Sequence, residues 1–183
     1  MQRIVLGSSS QTRAILLDQF GIPFIQRDAG FDEEQLCMSD PAHFVYHATK
    51  GKMNSYIEQW DLEMPVLCAD TVVTAHGKIL RKAVDVEDAK RILELQSGSV
   101  VSILTCMIYK TKAYEMIDLA TTDYQFAPFD RDALDAYLVS DEWKGKAGAC
   151  MVEGFCKSYI QSVRGLESTA MGLSVERLLP FLS

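Results

Sequence analysis

One carboxylate lies in the middle of an otherwise almost entirely apolar segment. The segment reads VLCADTVVTA from Val66 to Ala75, and its acidic residue is Asp70. This composition predicts a strand buried on both faces, where an isolated charge is costly. Asp70 therefore needs a partner. Two interpretations are open on these residues alone: a structural carboxylate satisfied by a backbone amide or an arginine, and a general base or metal ligand at the end of a strand.

A turn of small residues near the amino terminus is a candidate anion site. Strand-like residues 3–6 lead into Gly7-Ser8-Ser9-Ser10 and then into a helix-like segment. Free amides at a helix amino terminus, together with serine hydroxyls, suit phosphate oxygens. Ser10 is the expected N-cap, which puts Arg13 in the first turn, where a cation is unfavourable without a bound anion. Arg13 is therefore a candidate phosphate ligand, and the alternative is a pair with a surface carboxylate.

A second cation belongs to the inner face of a predicted helix. Asp40-Pro41 is typical of an N-cap followed by proline at the first helical position, and the helix should continue to about Trp60. Helical spacing puts Lys52 on the apolar face and Lys50 well away from it. An inward lysine favours an anionic partner; the alternative is a side chain whose stem covers apolar surface while its ammonium reaches water. The other residues on that face are Val45, Ala48, Thr49 and Tyr56.

Composition excludes several classes of protein. The formal net charge of −7 disfavours nucleic-acid binding, which depends on a basic face. No apolar run has membrane-spanning length and none resembles a signal peptide, so we expect a soluble protein that binds no membrane. An odd number of cysteines without CxxC spacing predicts reduced thiols rather than disulfides or zinc ligands, and we therefore expect a cytoplasmic protein. These residues are Cys37, Cys68, Cys106, Cys150 and Cys156.

Alternating strand-like and helix-like segments predict an α/β domain. At 183 residues the chain fits one domain over residues 1–183 and can bury roughly two-thirds of its unfolded surface. We expect a mixed, elongated β-sheet flanked by helices, with ligands bound at strand ends. After Asp70 the expected elements are a helix from Asp85 to Ser97-Gly98, strands over about Val100–Tyr109 and Tyr114–Phe126, a helix from Asp130 through Leu138, and a closing helix from Ser174 to Leu182.

Motifs along the whole chain resemble the Maf family, septum-formation-inhibitor-like proteins that hydrolyse nucleoside triphosphates to the monophosphate and pyrophosphate. No single motif decides the match, but their order and spacing are specific. The matching segments are LGSSSQTRAILL, Phe31-Asp32-Glu33, Ala69-Asp70-Thr71-Val72-Val73, the residues from Gly77 to Lys82, Leu95-Gln96-Ser97-Gly98, Lys146-Ala147-Gly148 and Met171-Gly172-Leu173.

The resemblance implies a site, a cofactor and a fold. It assigns catalysis to Asp70, Glu33, Lys52, Lys82 and Arg13, and it implies Mg²⁺, Mn²⁺ or Co²⁺ held by Asp70 and Glu33. The implied fold has two lobes with a cleft between them. The implied substrate is a nucleoside triphosphate, and the family links this activity to removal of modified nucleotides and to cell-division arrest. The implied substrate-binding residues are Ser8, Ser10, Thr12, Thr71 and Glu153.

Three of these positions bear on the choice of base. The branch similar to dTTP and UTP hydrolases has arginine, threonine and glutamine at the positions of Thr12, Thr71 and Glu153, whereas the branch similar to 7-methyl-GTP hydrolases has tryptophan, glutamine and glutamate. This chain matches one branch at Thr71 and the other at Glu153. A carboxylate at Glu153 suits the paired N–H donors of a guanine edge, which favours a purine or modified base. The alternative for Glu153 is a solvated loop residue.

Two other functions remain open. Altered Thr12 and Ala83 leave room for a non-catalytic regulator of septation that senses nucleotides, although a pure triphosphate binder has no need of a carboxylate facing the phosphates. A metal-dependent phosphatase or nuclease would need a second carboxylate cluster for a two-metal site, which the sequence lacks. A homodimer is compatible with the general frequency of such assemblies.

Overall fold

A single mixed sheet organises the chain. The computed structural model describes residues 2–182, apart from the side chain of Glu34. Within them seven strands pair in the order β2-β1-β3-β5-β6-β7, with β4 attached to β3. β1 is parallel to both β2 and β3, whereas β4 is antiparallel to β3 and β7 to β6. The strands are β1 Ile4–Leu6, β2 Phe24–Gln26, β3 Val66–Ala75, β4 Lys78–Leu80, β5 Val100–Lys110, β6 Glu115–Phe126 and β7 Ile160–Arg164.

Side-chain caps start the four longest helices where the sequence places them. Ser10, Asp40, Asp85 and Asp130 each accept a hydrogen bond from the backbone N–H three residues later, which satisfies one of the free donors of the first turn. The helices are α1 Gln11–Gln19, α2 Pro41–Trp60, α3 Val86–Gln96, α4 Arg131–Val139, α5 Glu167–Ala170 and α6 Val175–Leu178. The expected α/β class with a mixed sheet is therefore confirmed.

The closing helix is shorter than predicted. α6 ends at Leu178, and the chain continues as a 3-10 helix over Leu179–Phe181. Pro180 lacks the N–H that an α-helix needs, so the regular ladder cannot run to Leu182. Three short strands, β2, β4 and β7, were not predicted, because segments of three to five residues carry little periodic signal.

The chain divides into two compact units. The first comprises residues 1–71, 104–121 and 166–183, and the second comprises residues 72–103 and 122–165. The chain passes from one unit to the other within β3, β5 and β6. The single domain and the cleft expected from the sequence stay predictions.

In the first unit, apolar side chains pack on both faces of β1 and β3. One cluster surrounds Ile4, Leu6, Leu67 and Ala69, and receives α1 and the carboxyl-terminal segment. The other surrounds Val5, Val66 and Cys68 and receives α2. Successive strand residues thus point into opposite cores, which explains why β3 reads as a continuous apolar run.

The cysteine prediction is wrong for one pair. Cys150 and Cys156 form a disulfide in the second unit, with their Cα atoms 6.5 Å apart. A turn and a short 3-10 helix over Phe155–Tyr159 bring them into the range that a disulfide spans. Cys37, Cys68 and Cys106 are free, as expected.

No helix within residues 2–182 is both long enough and apolar enough to cross a bilayer.

Candidate active site

Asp70 has a lysine as its partner. The carboxylate is buried in β3, and the ammonium Nζ of Lys52 lies 2.5 Å from its Oδ1. Lys52 comes from the inner face of α2, where Val45, Ala48 and Thr49 are completely buried. The predicted orientation of Lys52 is confirmed. The side chains of Lys52 and Asp70 are only 14% and 8% exposed, so this ion pair is largely withdrawn from water.

Glu33 reaches the same lysine from the segment before α2. Its Oε2 lies 3.5 Å from the Lys52 ammonium, and its side chain is 42% exposed. Two side chains of α2 hold this segment, since Ser55 and Gln59 donate hydrogen bonds of 2.7 and 3.0 Å to the carbonyl of Ala29. Glu33 is therefore aimed at Lys52 by contacts with the helix that carries Lys52.

A glycine in α2 makes room for that segment. A Cβ on Gly51 would lie 2.3 Å from the ring of Phe31, a distance that real side chains do not adopt. Glycine inside a helix costs about 1 kcal/mol relative to alanine. The space it leaves lets the Phe31 ring lie on the helix, two residues before Glu33 in the chain.

Burial and the neighbouring cations act in opposite directions on the pKa of Asp70. Burial raises the pKa of Asp70 above its ordinary value, and the neighbouring charge of Glu33 acts in the same direction, while Lys52 and Arg13 oppose the shift. One ammonium thus faces two carboxylates. Within ion-pair distance the two carboxylates outnumber the one ammonium, and this local excess favours the binding of a further cation beside them.

The donor set fits a hard divalent cation. Asp70 and Glu33 offer carboxylate oxygens that converge on one point, the Lys52 ammonium. Over residues 2–182, no three His, Cys, Asp or Glu side chains form a metal cluster. A cation bound by Asp70 and Glu33 beside the Lys52 ammonium would have two protein ligands and take its remaining oxygens from water or phosphate, which is how Mg²⁺ is usually held.

Arg13 is buried and fixed on three sides. Its Nε donates to the carbonyl of Gly172 at 2.9 Å, its Nη1 to the hydroxyl of Ser8 at 3.0 Å, and its Nη2 to the hydroxyl of Thr71 at 3.1 Å. Burial lowers its pKa, an effect that the charges of Asp70 and Glu33 oppose. None of the three hydrogen bonds goes to a surface carboxylate, the alternative partner that the sequence left open.

The serine turn is held by side chains on both sides. Ser10 caps α1 at the backbone N–H of Arg13, and Ser8 accepts from the backbone N–H of Ser10 at 3.2 Å as well as from Arg13. Gln26 on β2 donates to the carbonyls of Ser8 and Ser10 at 2.7 and 3.2 Å. Thr12 lies in the first turn of α1 and is half-buried.

A chain of hydrogen bonds leads from Arg13 through three threonines. The hydroxyl oxygens of Thr71 and Thr105 are 2.9 Å apart, and Thr105 donates to the carbonyl of Thr169 at 2.7 Å. Thr105 on β5 is completely inaccessible to solvent. Thr105 and Thr169 were not predicted from the sequence. The available signal was the one that identified Asp70, a polar residue inside an apolar strand.

The remaining predicted site residues belong to the second unit. Lys82 is exposed and forms an antiparallel bridge with Ala147, and the N–H of Gly148 donates to the carbonyl of Arg81 at 3.2 Å. Two motifs that are distant in sequence are therefore adjacent in this unit. Glu153 is exposed in the turn between the two disulfide-bonded cysteines.

A family model and two curated relatives agree on the family that this chain resembles. A family model described as Maf-like protein matches residues 3–183. A nucleoside triphosphate pyrophosphatase of a Nitratiruptor species is 56% identical over 177 residues, covering 96% of this chain and 96% of that protein. A nucleoside triphosphate pyrophosphatase of Helicobacter pylori is 38% identical over 176 residues, covering 96% and 93%. Among solved structures, the Staphylococcus aureus Ham1 protein matches with a TM-score of 0.49 and 13% identity, over 69% of this chain and 72% of that chain.

Proposed function

Because this chain belongs to the Maf family, we propose that it is a nucleoside triphosphate pyrophosphatase that releases pyrophosphate and leaves the nucleoside monophosphate. The observation that carries this proposal is the group of Lys52, Asp70 and Glu33, where one ammonium faces two carboxylates. Such an excess of negative charge is unfavourable in a protein that only binds a polyanion. It is useful in an enzyme that must deprotonate water beside a phosphate.

Asp70 is proposed as the general base. Its burial raises its pKa, so its carboxylate accepts a proton more readily than an ordinary aspartate does. The water it activates attacks the α-phosphorus, and the bond from the α-phosphorus to the bridging oxygen breaks as pyrophosphate leaves. The proton of the water passes to Asp70.

A divalent cation of the Mg²⁺, Mn²⁺ or Co²⁺ type, bound at Asp70 and Glu33, would neutralise phosphate charge and lower the pKa of a bound water. Lys52 then supplies a positive charge close to both carboxylates and to the phosphates. Arg13 and the amides and hydroxyls of the serine turn, Ser8 and Ser10, are proposed to bind the phosphate oxygens on which charge develops.

Four further residues are assigned from the family resemblance alone. We propose that Lys82 binds phosphate and that Thr12, Thr71 and Glu153 contact the nucleoside. The carboxylate at Glu153 favours a purine or a modified, cationic base, because a carboxylate accepts paired N–H donors and attracts positive charge.

The test is a pyrophosphate-release screen over ordinary and modified nucleoside triphosphates with Mg²⁺, Mn²⁺ or Co²⁺. Asp70→Asn is measured beside the wild type, and Glu115→Gln is the matched control, since Glu115 is also a lysine-paired carboxylate of the first unit. Release that requires Asp70 and not Glu115 supports the proposal.

A folded wild-type protein that binds nucleotide and releases no pyrophosphate would support the regulatory alternative instead. Nucleotide binding is measured separately by calorimetry, so loss of binding and loss of turnover are distinguished.

A further inference from the structure

We propose that Thr105 is a positioning residue that orients Arg13 toward the phosphates through a directed relay of hydroxyl groups. The proposal deepens the proposed function and rests on it for the role of Arg13. Thr105 itself is completely buried and touches no substrate. It acts through Thr71, whose hydroxyl oxygen lies 2.9 Å away.

The direction of every hydrogen bond in the relay follows from one carbonyl group. A carbonyl only accepts, so the single proton of the Thr105 hydroxyl points to the Thr169 carbonyl at 2.7 Å. The Thr105 oxygen must then accept from Thr71 across 2.9 Å. With its own proton directed to Thr105, the Thr71 oxygen presents a lone pair to the guanidinium of Arg13 at 3.1 Å.

The relay closes into a ring. The carbonyl of Thr169 also accepts the backbone N–H of Gly172 at 3.0 Å, and the carbonyl of Gly172 accepts Nε of Arg13 at 2.9 Å. Gly172 has a φ of +105°, and a Cβ there would lie 3.1 Å from Nε of Arg13 and 3.3 Å from the Thr71 hydroxyl. A glycine is therefore required both by the backbone conformation and by the space that the ring occupies.

The ring determines which N–H groups of Arg13 remain for a ligand. A guanidinium has five N–H donors in one plane. Within residues 2–182, Gly172, Ser8 and Thr71 receive three of them. Each of the three guanidinium nitrogens donates one of these hydrogen bonds, so the other two donors keep a constant direction. Preorganised donors of this kind stabilise phosphate charge without reorganising during the reaction.

Packing alone does not require a threonine at position 105. Valine has nearly the same shape and avoids burying a hydroxyl, which is costly unless it is hydrogen-bonded. The hydroxyl of Thr105 makes two hydrogen bonds, and the one to Thr71 leads directly to Arg13.

The first experiment compares three variants. Thr105→Val removes the hydroxyl and Thr105→Ser keeps it. Thr74→Val is the matched control, because Thr74 is also buried in a strand, β3, and donates its hydroxyl to a backbone carbonyl, that of Ser102 at 3.2 Å. We expect Thr105→Val to lower kcat/KM about tenfold, as misplacing a positioned group does. Thr105→Ser should stay within about twofold of the wild type, as should Thr74→Val.

A binding measurement tests the relay without turnover. The probe is inorganic triphosphate, followed by calorimetry. The dissociation constant should rise about fivefold in Thr105→Val and remain unchanged in Thr105→Ser and Thr74→Val. Thr74→Val should lower Tm by roughly 2–4 °C, because it loses one buried hydrogen bond, and Thr105→Val should lower it by about twice as much, because it loses two. If Thr105→Val does not fold, Thr105→Ala removes the same hydroxyl with less crowding.

A double-mutant cycle identifies the route of the effect. In a Thr71→Val background the relay is already broken, so adding Thr105→Val should lower kcat/KM by no more than about twofold. A full tenfold further loss would mean that Thr105 acts by another route, and the proposal would be wrong. Equal triphosphate binding by the wild type and Thr105→Val would also overturn it.

Failure of the proposed function has a different signature. A wild-type protein that releases no pyrophosphate from any nucleotide contradicts the enzyme activity, whereas the triphosphate-binding comparison still decides whether Thr105 orients Arg13.

Discussion

Two lysines, two residues apart on α2, enter ion clusters of opposite character. Lys50 pairs with Glu115 at 2.9 Å, and Lys110 pairs with the same carboxylate at 2.6 Å. Lys52 pairs with Asp70 at 2.5 Å, with Glu33 as a second carboxylate at 3.5 Å. The first cluster has two cations for one anion, and the second has one cation for two anions.

The two clusters also differ in how deeply they are buried. Lys50, Lys110 and Glu115 keep between 23% and 32% of their side chains exposed, and hydrogen bonds from both lysines lower the pKa of Glu115. Asp70 keeps 8% exposed, and burial raises its pKa despite the contact with Lys52. The two lysines beside Glu115 stabilise its charged form. At Asp70, burial makes the charged form unfavourable, which is typical of sites that do chemistry.

The largest expected difference in activity is between variants that neutralise one carboxylate in each cluster. Asp70→Asn should lower pyrophosphate release by about 10³-fold, in the range of lost general-base catalysis. Its Tm should not fall, because a raised pKa means that folding disfavours the charged form. Glu115→Gln should keep activity within about twofold and lose under ~1 kcal/mol of stability. An Asp70→Asn protein with wild-type turnover would remove the distinction between the clusters.

Replacing each lysine by methionine should produce the next largest difference in activity between the two clusters. Lys52→Met should lower kcat/KM about 100-fold, since it removes a positive charge beside the proposed phosphate site. It should also lower Tm, because Asp70 loses the partner that offsets its burial. Lys50→Met should change activity by less than about twofold, because Lys50 pairs with Glu115 instead. Steady-state kinetics and thermal unfolding of the two variants measure this contrast, and similar activity losses in both would contradict it.

Gly51, between the two lysines, offers a subtler test. Alanine in a helix is normally more stable than glycine by about 1 kcal/mol. In Gly51→Ala the new Cβ would overlap the ring of Phe31, so that gain should be absent. Displacing Phe31 should move Glu33 and lower kcat/KM about tenfold. Adding Phe31→Ala should restore the helix stability without restoring activity; an active, stabilised Gly51→Ala protein would show that Phe31 does not position Glu33.

The smallest expected effects are opposite slopes of stability against pH. The pKa of Asp70 is raised above its ordinary value of 3.8, so the protonated form contributes stability at low pH that is lost as pH rises through the folded pKa. The pKa of Glu115 is lowered below 4.5, so its contribution is present above that value and lost as pH falls through the folded pKa. Denaturant unfolding of wild type, Asp70→Asn and Glu115→Gln across acid pH should give differences of opposite sign.

Local sequence signals predicted most of the elements around the site. The predicted caps Ser10 and Asp40 are confirmed, the helices expected from Asp85 and Asp130 begin directly after those residues, and the strand Val66–Ala75 has the predicted bounds. Helical spacing also predicted that Lys52, and not Lys50, lies on the inner face of α2, where it contacts Asp70. These successes share one cause, since capping and periodicity depend on residues within a turn or two of each other.

Predictions were wrong or absent where the relevant partner is distant or the signal is short. The strands β2, β4 and β7 were not predicted, the last helix was expected to continue through Pro180, and Cys150 and Cys156 were expected to be reduced. Cys150 and Cys156 lack CxxC spacing, and a turn and a 3-10 helix bring them together.

The sequence by itself determined the α/β class, the family, the need of Asp70 for a partner and the inward face that carries Lys52. Only the tertiary structure decided that Glu33 shares this lysine, that Gly51 makes room for Phe31, and that Arg13 is held by a ring of hydrogen bonds. Four of the five contacts of that ring join residues 34, 58, 64 and 159 positions apart. Hydrogen-bond geometry at such separations depends on how the strands pair and on how the carboxyl-terminal turn packs, and no local periodicity encodes either.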